Sequence, residues 1–261
     1  MKKILYLLLI GLLSLTACDE KDEPQSAIET FTVNGVSFNM VKVKGGSFTM
    51  NMELPLTPTG VLFQDSTLDV TLADYSIGQT EVTQALWQAV MGNNPSYFSS
   101  NEIFMVEKEG EFEDDLNRPV EWVSWDDCQA FIEKLNELTG RHFRIPTEAE
   151  WEFAARGGNK THGYPYAGSD NIDEVAWCGE NTDNKTHPVG QKKPNELGLY
   201  DMSGNVREWC LDRISFRMAD GTSYAYRIVR GGSYYQKCFV WYRDRATQNV
   251  KGSDLGLRLA M

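Results

Sequence analysis

The residue with the clearest chemical potential is Cys238, which lies in the aromatic and arginine-containing stretch GGSYYQKCFVWYRDR, residues 231–245. A cysteine acts as a nucleophile or metal ligand through its thiolate, which needs a neighbour that lowers the thiol pKa. No histidine lies near it in the sequence, and Lys237 is the adjacent cation. We therefore interpret Cys238 as a buried thiol, or as the disulfide partner of Cys178 or Cys210, with a catalytic role as the alternative.

The other cysteines and the histidines show no spacing that is typical of a metal site. Beyond residue 18 the cysteines are Cys128, Cys178, Cys210 and Cys238, without a Cys-x-x-Cys motif. Four cysteines allow three full pairings, and the sequence does not choose among them. The histidines are far apart, and we interpret them as surface or structural residues: His142, His162 and His187.

Three helices are predicted by the residues at their ends. Each begins after a Ser or Thr N-cap and ends at a glycine. The caps and stops are Thr83 and Gly92, Ser124 and Gly140, and Thr147 and Gly157. Cys128 falls on the apolar stripe of the second helix and is therefore predicted to be inert.

Short strands and one long loop account for the rest of the chain. Strands are predicted over 30–43, with a turn at Asn34-Gly35, over 66–72 and over 227–229. Residues 157–194 show no periodicity and are rich in Gly, Asn, Asp, Tyr and Pro. Loops of this length in compact domains usually carry function or metal.

The N-terminus resembles a bacterial lipoprotein signal. Lys2 and Lys3 precede an apolar run of ten residues, too short to span a bilayer, and then Leu15-Thr16-Ala17-Cys18. We predict a signal peptide over 1–17, a lipidated Cys18 with an acidic tether over 18–37, and a folded domain over 38–261. An ordinary signal peptide is the alternative. The expected location is the envelope of a double-membraned bacterium, at the outer membrane and exposed at the surface.

The formal net charge of −12 limits the classes of partner. Nucleic-acid binding needs clustered Lys and Arg, so nucleic acid is not an expected partner. Anionic lipid head groups would also repel the chain, and the lipid at Cys18 is the expected membrane contact.

Several motifs occur in an order that resembles one family. They include VKGGSFTM (43–50), RPVEWVSW (118–125), RIPTEAEWEFAARGG (144–158), HPVGQKKPNELGLYDMSGNVREWC (187–210) and VRGGSYY (229–235). This set is similar to the formylglycine-generating-enzyme, or sulfatase-modifying-factor, family. The resemblance implies an α+β fold: a single compact mixed domain with little regular secondary structure, of the C-type-lectin type.

The resemblance also implies which residues the enzymatic members need. Those members bind copper between two cysteines, and monovalent copper favours such thiolates. The matching positions here are Gln236 and Trp241, and Cys238 is the only cysteine after residue 210. Copper is therefore not expected, unless a cysteine distant in sequence approaches Cys238 in space.

A calcium site is the remaining cofactor that the resemblance implies. By position, Asp201 and Glu208 would supply carboxylates, and Gly204 and Val206 would supply backbone carbonyls. Calcium prefers several hard oxygens from a flexible loop, which this segment offers. On this hypothesis, Glu208→Ala lowers thermal stability only when calcium is present. A metal-free turn held by hydrogen bonds of Asn205 is the alternative.

The C-terminal segment also carries a candidate binding surface. Aromatic residues and arginines dominate interaction hot spots, and aromatic faces stack on sugars. The predicted surface consists of Tyr234, Tyr235, Trp241, Tyr242, Arg243 and Arg245. Core packing, with arginines in internal salt bridges, is the alternative for these residues.

Two functions follow from these features. The first is an exported, lipid-anchored, non-catalytic domain that binds a protein or a glycan at the cell envelope. The alternative is a copper-dependent oxidase that converts a sulfatase cysteine to formylglycine. The missing cysteine pair favours the first.

Overall fold

The computed structural model of the protein describes residues 27–52, 67–99, 115–217 and 221–261. The predicted signal peptide and the lipid-attachment residue Cys18 lie outside these ranges. Within them, no helix combines the length and apolar character that crossing a membrane requires.

A β-hairpin opens the described part of the chain. β1 (Ile28–Val33) pairs antiparallel with β2 (Val36–Val43), and β5 (Tyr75–Gly78) pairs with the other edge of β2. Asn34 and Gly35 both have positive φ, 48° and 84°. A two-residue hairpin turn of the primed type requires this conformation, so the turn predicted from the Asn-Gly pair is confirmed.

The folded domain begins before residue 38, which corrects the predicted tether. Phe31 and Val33 are buried in the main hydrophobic core together with Met40. Residues 28–37 therefore belong to the domain, and the acidic segment ends earlier. The strand pattern predicted over 30–43 already crosses the boundary at residue 38.

Two further sheets complete the strand structure. β3 (Ser47–Asn51) and β4 (Thr67–Thr71) form a small antiparallel pair. The remaining strands are β6 (Arg207–Arg217), β7 (Ser223–Arg230), β8 (Arg243–Ala246) and β9 (Leu255–Gly256). They form one sheet in the order β8-β7-β6-β9, in which the β6–β9 pair is parallel.

The three predicted helices follow their caps: α1 (Gln84–Met91), α2 (Trp125–Thr139) and α3 (Glu148–Ala155). The described residues also contain the single turn α4 (Ile172–Val175), which the sequence did not predict. The side chains of Thr83, Ser124 and Thr147 each accept a hydrogen bond from the backbone N–H three residues later. Gly92 and Gly140 adopt the left-handed conformation just after their helices, which confirms these end signals.

Helix α3 is buried on nearly all sides, including its acidic residues Glu148 and Glu152. Phe153 packs on Phe48 of β3, with ring centroids 5.4 Å apart. Arg230 is fully buried against both acidic side chains. The helix is therefore fixed to the four-stranded sheet by buried ion pairs as well as by apolar contact.

Candidate functional site

The C-terminal segment leaves β7 through a turn that only glycine can form. Gly232 has φ of +68°, and a Cβ at this position would lie 2.0 Å from the carbonyl oxygen of Lys237. The N–H of Gly204 donates to Gly231 O, and the N–H of Tyr234 donates to Asn205 O, both at 2.9 Å. These bonds place the GNVREW motif directly beside the GGSYY motif.

Two of the six residues predicted for the binding surface lie in the interior, which corrects that set. The Tyr234 ring is buried edge-on against Phe98, at 5.4 Å between centroids, and its hydroxyl lies 3.1 Å from Ser253 Oγ. Arg243 is buried with Nε 2.6 Å from Glu148 Oε1. Since an arginine in the core needs an anionic partner, Glu148 explains this position.

Three aromatic rings form a stacked row, which we call the aromatic strip: Tyr166, Phe239 and Trp241. Tyr166 and Phe239 are half-buried. Phe239 lies 5.3 Å from Tyr166 and 5.1 Å from Trp241 between ring centroids, with nearly parallel rings. Trp241 is 36% exposed at the end of the row. Tyr166 comes from the long loop, so its place beside the segment 231–245 could not be read from sequence spacing.

The other three predicted surface residues are exposed or half-buried. Tyr235 is 52% exposed and lines an open cleft of about 400 Å³ with Glu180, Asp183 and Asn184. Tyr242 and Arg245 are half-buried, and the Arg245 guanidinium lies 5.5 Å from the ring centroid of Tyr226.

Cys238 has a second cysteine beside it. Cys178, Cys238 and Ala176 form a small buried cluster, and Cys178 Sγ donates to Gln236 O at 2.9 Å. A hydrogen bond from the Cys238 thiol lowers the pKa of Cys178, whereas the same contact and burial raise the pKa of Cys238. Cys178 is therefore the distant cysteine that approaches Cys238 in space.

Cys128 and Cys210 are fully buried elsewhere in the core. Burial raises the pKa of both thiols well above the usual range. A thiol that stays protonated in an apolar environment is a poor nucleophile, so the structure agrees with the interpretation of Cys128 as inert.

Glu208, one of the predicted calcium ligands, is fully buried and already has partners. The Arg258 guanidinium contacts the carboxylate, with Nη2 2.7 Å from Oε1, and Trp151 Nε1 donates to Oε2 at 2.6 Å. The remaining N–H groups of Arg258 donate to the carbonyls of Gly78 and Tyr200, each at 2.9 Å. Both charges are therefore satisfied by protein groups.

Asp201 and Glu81 are buried near this ion pair. Asp201 Oδ2 accepts from the N–H of Gly190 at 2.7 Å, while Oδ1 is buried without a hydrogen-bond partner. Burial raises the pKa of Asp201 to about 6. Burial, followed by the charges of Asp201 and Glu208, raises the pKa of Glu81 well above its usual range.

The predicted donor set does not fit a calcium ion in this arrangement. Glu208 has no free oxygen, and only Asp201 Oδ1 is an open carboxylate oxygen in the set. In the described part of the chain, no group of three or more acidic, histidine or cysteine side chains is arranged to hold a metal ion. Calcium binding therefore stays a prediction that rests on Asp201.

We expect the Asp201→Asn variant to reveal the buried carboxyl through pH. The pKa of Asp201 in the folded state, about 6, lies above the ordinary 3.8. The stabilising contribution of this carboxyl to the free energy of unfolding is therefore complete below about pH 4 and is lost as the pH rises through 6. The loss is on the order of 3 kcal/mol, and the Asp201→Asn variant, which has no carboxyl there to titrate, would not show it. Urea unfolding between pH 4 and 7 in chelator measures the difference.

Asp183→Asn is the matched control, because Asp183 is exposed and also has positive φ, 52° against 57° for Asp201. The control should leave the pH profile unchanged. Identical pH profiles for the wild type and Asp201→Asn would contradict the raised pKa. Stabilisation of the wild type, but not of Asp201→Asn, on adding calcium would support the calcium prediction.

A second aromatic cluster, which the sequence did not indicate, lies in the long loop. The rings of Trp177 and His187 stack with centroids 3.8 Å apart, and Lys192 Nζ lies 4.0 Å from the Trp177 centroid. Burial lowers the pKa of His187, and its backbone N–H donates to Asn205 Oδ1 at 2.9 Å. His187 is therefore structural, as its isolated position in the sequence suggested.

The family comparison agrees with the motifs. The model of the sulfatase-modifying factor enzyme 1-like domain matches residues 24–261, and the chain therefore belongs to this family. It is similar to the chaperone protein LppX of Paenibacillus barcinonensis, with 33% identity over 99% of this chain and 98% of that protein.

An enzymatic relative and a solved structure complete the comparison. The formylglycine-generating enzyme of Streptomyces coelicolor is 34% identical over 55% of this chain and 52% of its own length, so the chain spans about half of that enzyme. The structure of Treponema denticola variable protein 1 matches with a TM-score of 0.70 and 34% identity, over 89% of this chain and 98% of that one. The predicted α+β, C-type-lectin-like fold is confirmed.

Proposed function

We propose that this protein is an exported, lipid-anchored, non-catalytic member of the family that binds a protein partner at the cell envelope. One observation carries the proposal. Trp241 stands where the family resemblance places a copper-binding cysteine, and it is exposed at the end of the aromatic strip. Position 241, which binds copper in the enzymes, thus carries an exposed aromatic residue that can contact a partner here.

The aromatic strip has the properties of a binding surface. Its rings are already stacked, so binding would immobilise few additional side-chain torsions. Tyrosine and tryptophan combine a large apolar face with a polar edge and are enriched in hot spots. The cleft beside Tyr235 adds Glu180 and Asp183, two carboxylates that favour a partner with basic groups at the contact.

A protein is favoured over a glycan as the occupant. One relative that is similar over nearly the full length of both chains is named a chaperone protein, which is a protein-directed function. Stacked aromatics also bind sugars, so a glycan is the other outcome of the test. The location at the outer membrane, with surface exposure, is supported by the Leu-Thr-Ala-Cys sequence and the acidic residues after it.

The test is site-specific photocrosslinking in cells, with a benzophenone amino acid at position 241 or at the exposed control position 250. We expect a discrete protein adduct from position 241 only. The protein captured in the adduct is then purified, and its binding to the wild type and to each variant is titrated directly. Trp241→Ala should weaken binding roughly tenfold or more, as expected for a hot-spot aromatic, and Val250→Ala should change it little.

Equal adducts at positions 241 and 250, or equal affinities of Trp241→Ala and the wild type, would contradict the proposed surface. Absence of any protein adduct, together with glycan binding that Trp241→Ala abolishes, would replace the protein partner with a glycan.

The second candidate function is the copper-dependent oxidase. It is favoured by a single observation, the contact between Cys178 and Cys238, which brings two sulfurs together. The pair is buried and lies out of register with the enzymatic cysteine positions, which are Gln236 and Trp241. A direct assay of the conversion of a sulfatase cysteine to formylglycine distinguishes the two functions.

A further inference from the structure

We propose that Cys178 and Cys238 form a disulfide bond that ties the loop after Trp177 to the segment carrying the aromatic strip. The two side chains pack against each other in a small buried cluster with Ala176. They lie sixty residues apart in the sequence, so only the fold brings them together. The sequence left Cys178 and Cys210 open as partners of Cys238, and the fold places Cys178 beside it.

Hydrogen bonds hold the two segments against each other beside the pair. The N–H of Gly179 donates to Tyr234 O at 2.9 Å, and Thr182 Oγ1 donates to the same carbonyl at 3.0 Å. Cys178 Sγ reaches Gln236 O at 2.9 Å. A disulfide needs close Cβ atoms on backbones that are held in register, and these hydrogen bonds hold the two segments together independently of the sulfurs.

A glycine packs closely against the backbone beside each cysteine. A Cβ at Gly204 would lie 3.3 Å from Cys178 Cβ and 2.2 Å from Trp177 O. A Cβ at Gly232 would lie 2.7 Å from Cys238 Cα. Larger residues at either position would displace the backbone that carries the nearby cysteine.

The other two thiols are separated from this pair. Cys128 belongs to one hydrophobic cluster and Cys210 to another, and both are 0% exposed. Cys178 is the most exposed of the four at 8%. An external oxidant would therefore reach Cys178 first.

The chemistry is ordinary thiol–disulfide exchange with an external disulfide, either of a protein oxidoreductase or of oxidised glutathione. The Cys178 thiolate attacks one sulfur of that disulfide, forms a mixed disulfide and releases the other sulfur as a thiolate. Cys238 then loses its proton, and its sulfur attacks Cys178 Sγ and expels the second sulfur of the oxidant. The chain loses two protons and two electrons, and the oxidant is reduced to two thiols.

The bond would fix one wall of the cleft. Tyr235 lines the cleft together with four residues of the loop that begins at Cys178: Gly179, Glu180, Asp183 and Asn184. Cross-linking Cys178 to Cys238 would hold this wall relative to the strip and would restrict the unfolded chain. The inference does not depend on whether the strip binds a partner.

The test is peptide mapping of the full chain, equilibrated with oxidised glutathione, trapped with N-ethylmaleimide in denaturant and digested without reduction. We expect one cross-linked peptide pair that joins Cys178 to Cys238, with Cys128 and Cys210 alkylated. The same map is expected for Cys128→Ala. Alkylation of all four cysteines, or a cross-link between a different pair, would overturn the proposal.

Thermal unfolding with and without dithiothreitol gives a second readout. The reductant should lower the midpoint of the wild type but not that of the Cys178→Ala/Cys238→Ala double variant. Equal midpoints for the wild type in both conditions would show that no stabilising bond is present. If the double variant does not fold, the wild-type peptide map still decides.

Discussion

Glu208→Ala is expected to lower the free energy of unfolding by about 3–5 kcal/mol, in calcium and in chelator alike. The change leaves the fully buried guanidinium of Arg258 without the carboxylate that lies 2.7 Å away. It also removes the acceptor of Trp151 Nε1. An interior charge that loses its paired carboxylate is costly, because water cannot solvate it and its remaining hydrogen-bond partners are neutral carbonyls.

The measurement is urea unfolding at neutral pH, with either excess calcium or excess chelator. Glu137→Ala, at an exposed position of α2, is the control and should cost well under 1 kcal/mol. The expectation from the motif alone was a loss only with calcium. If Glu208→Ala destabilises the chain only in calcium, the carboxylate is a metal ligand and the ion pair is not its main role.

Glu148→Gln is the second change with a large expected effect, a loss of about 3–5 kcal/mol. Glu148 lies at the start of α3 and forms ion pairs with two buried arginines. Arg243 donates to it twice, from Nε at 2.6 Å and from Nη2 at 2.9 Å. Arg230 Nε lies 2.9 Å from Oε1 but does not aim its N–H at that oxygen, so this contact is an ion pair without a hydrogen bond.

Neutralising Glu148 leaves Glu152 as the remaining acidic partner of Arg230, and Glu152 is shared with Arg156. Arg243 would lose its acidic partner and keep a hydrogen bond to the Met52 carbonyl. Since the stability of a domain is typically 5–15 kcal/mol, this loss is a large fraction of the total. A glutamine retains the shape of the side chain, so the effect reports charge and not a cavity.

Denaturant unfolding of Glu148→Gln is compared with Glu133→Gln, which changes an exposed glutamate of α2. The double variant Glu148→Gln/Arg243→Met should recover part of the loss, because it removes the unpaired arginine together with its partner. Strictly additive losses in the double variant would contradict a direct pair between Glu148 and Arg243.

Local signals in the sequence predicted the elements that depend on neighbouring residues. The N-caps at Thr83, Ser124 and Thr147 and the Asn34-Gly35 turn are satisfied within a few residues of each position. Their physical causes are short-range, so a single sequence contains them.

Features that depend on distant partners could not be predicted. β6 begins inside the motif interpreted as a calcium loop, because its residues pair with β7 and β9 and not with neighbours in sequence. The sequence left Arg243 open between a surface arginine and an internal ion pair, and its partner Glu148 lies 95 residues away. The contacts of Cys178 with Cys238 and of Tyr166 with Phe239 likewise join the long loop to the C-terminal segment.

The central claim, a domain that does not oxidise cysteine, is tested most directly by an activity assay. The full chain is reduced to free Cys178 and Cys238, loaded with monovalent copper and incubated in air with a sulfatase-type peptide that contains cysteine. Mass spectrometry follows the peptide beside an active formylglycine-generating enzyme. We predict an unchanged peptide. Conversion of its cysteine to the aldehyde at a rate comparable to the active enzyme, lost in Cys238→Ala, would contradict the claim and assign the sulfur pair to catalysis.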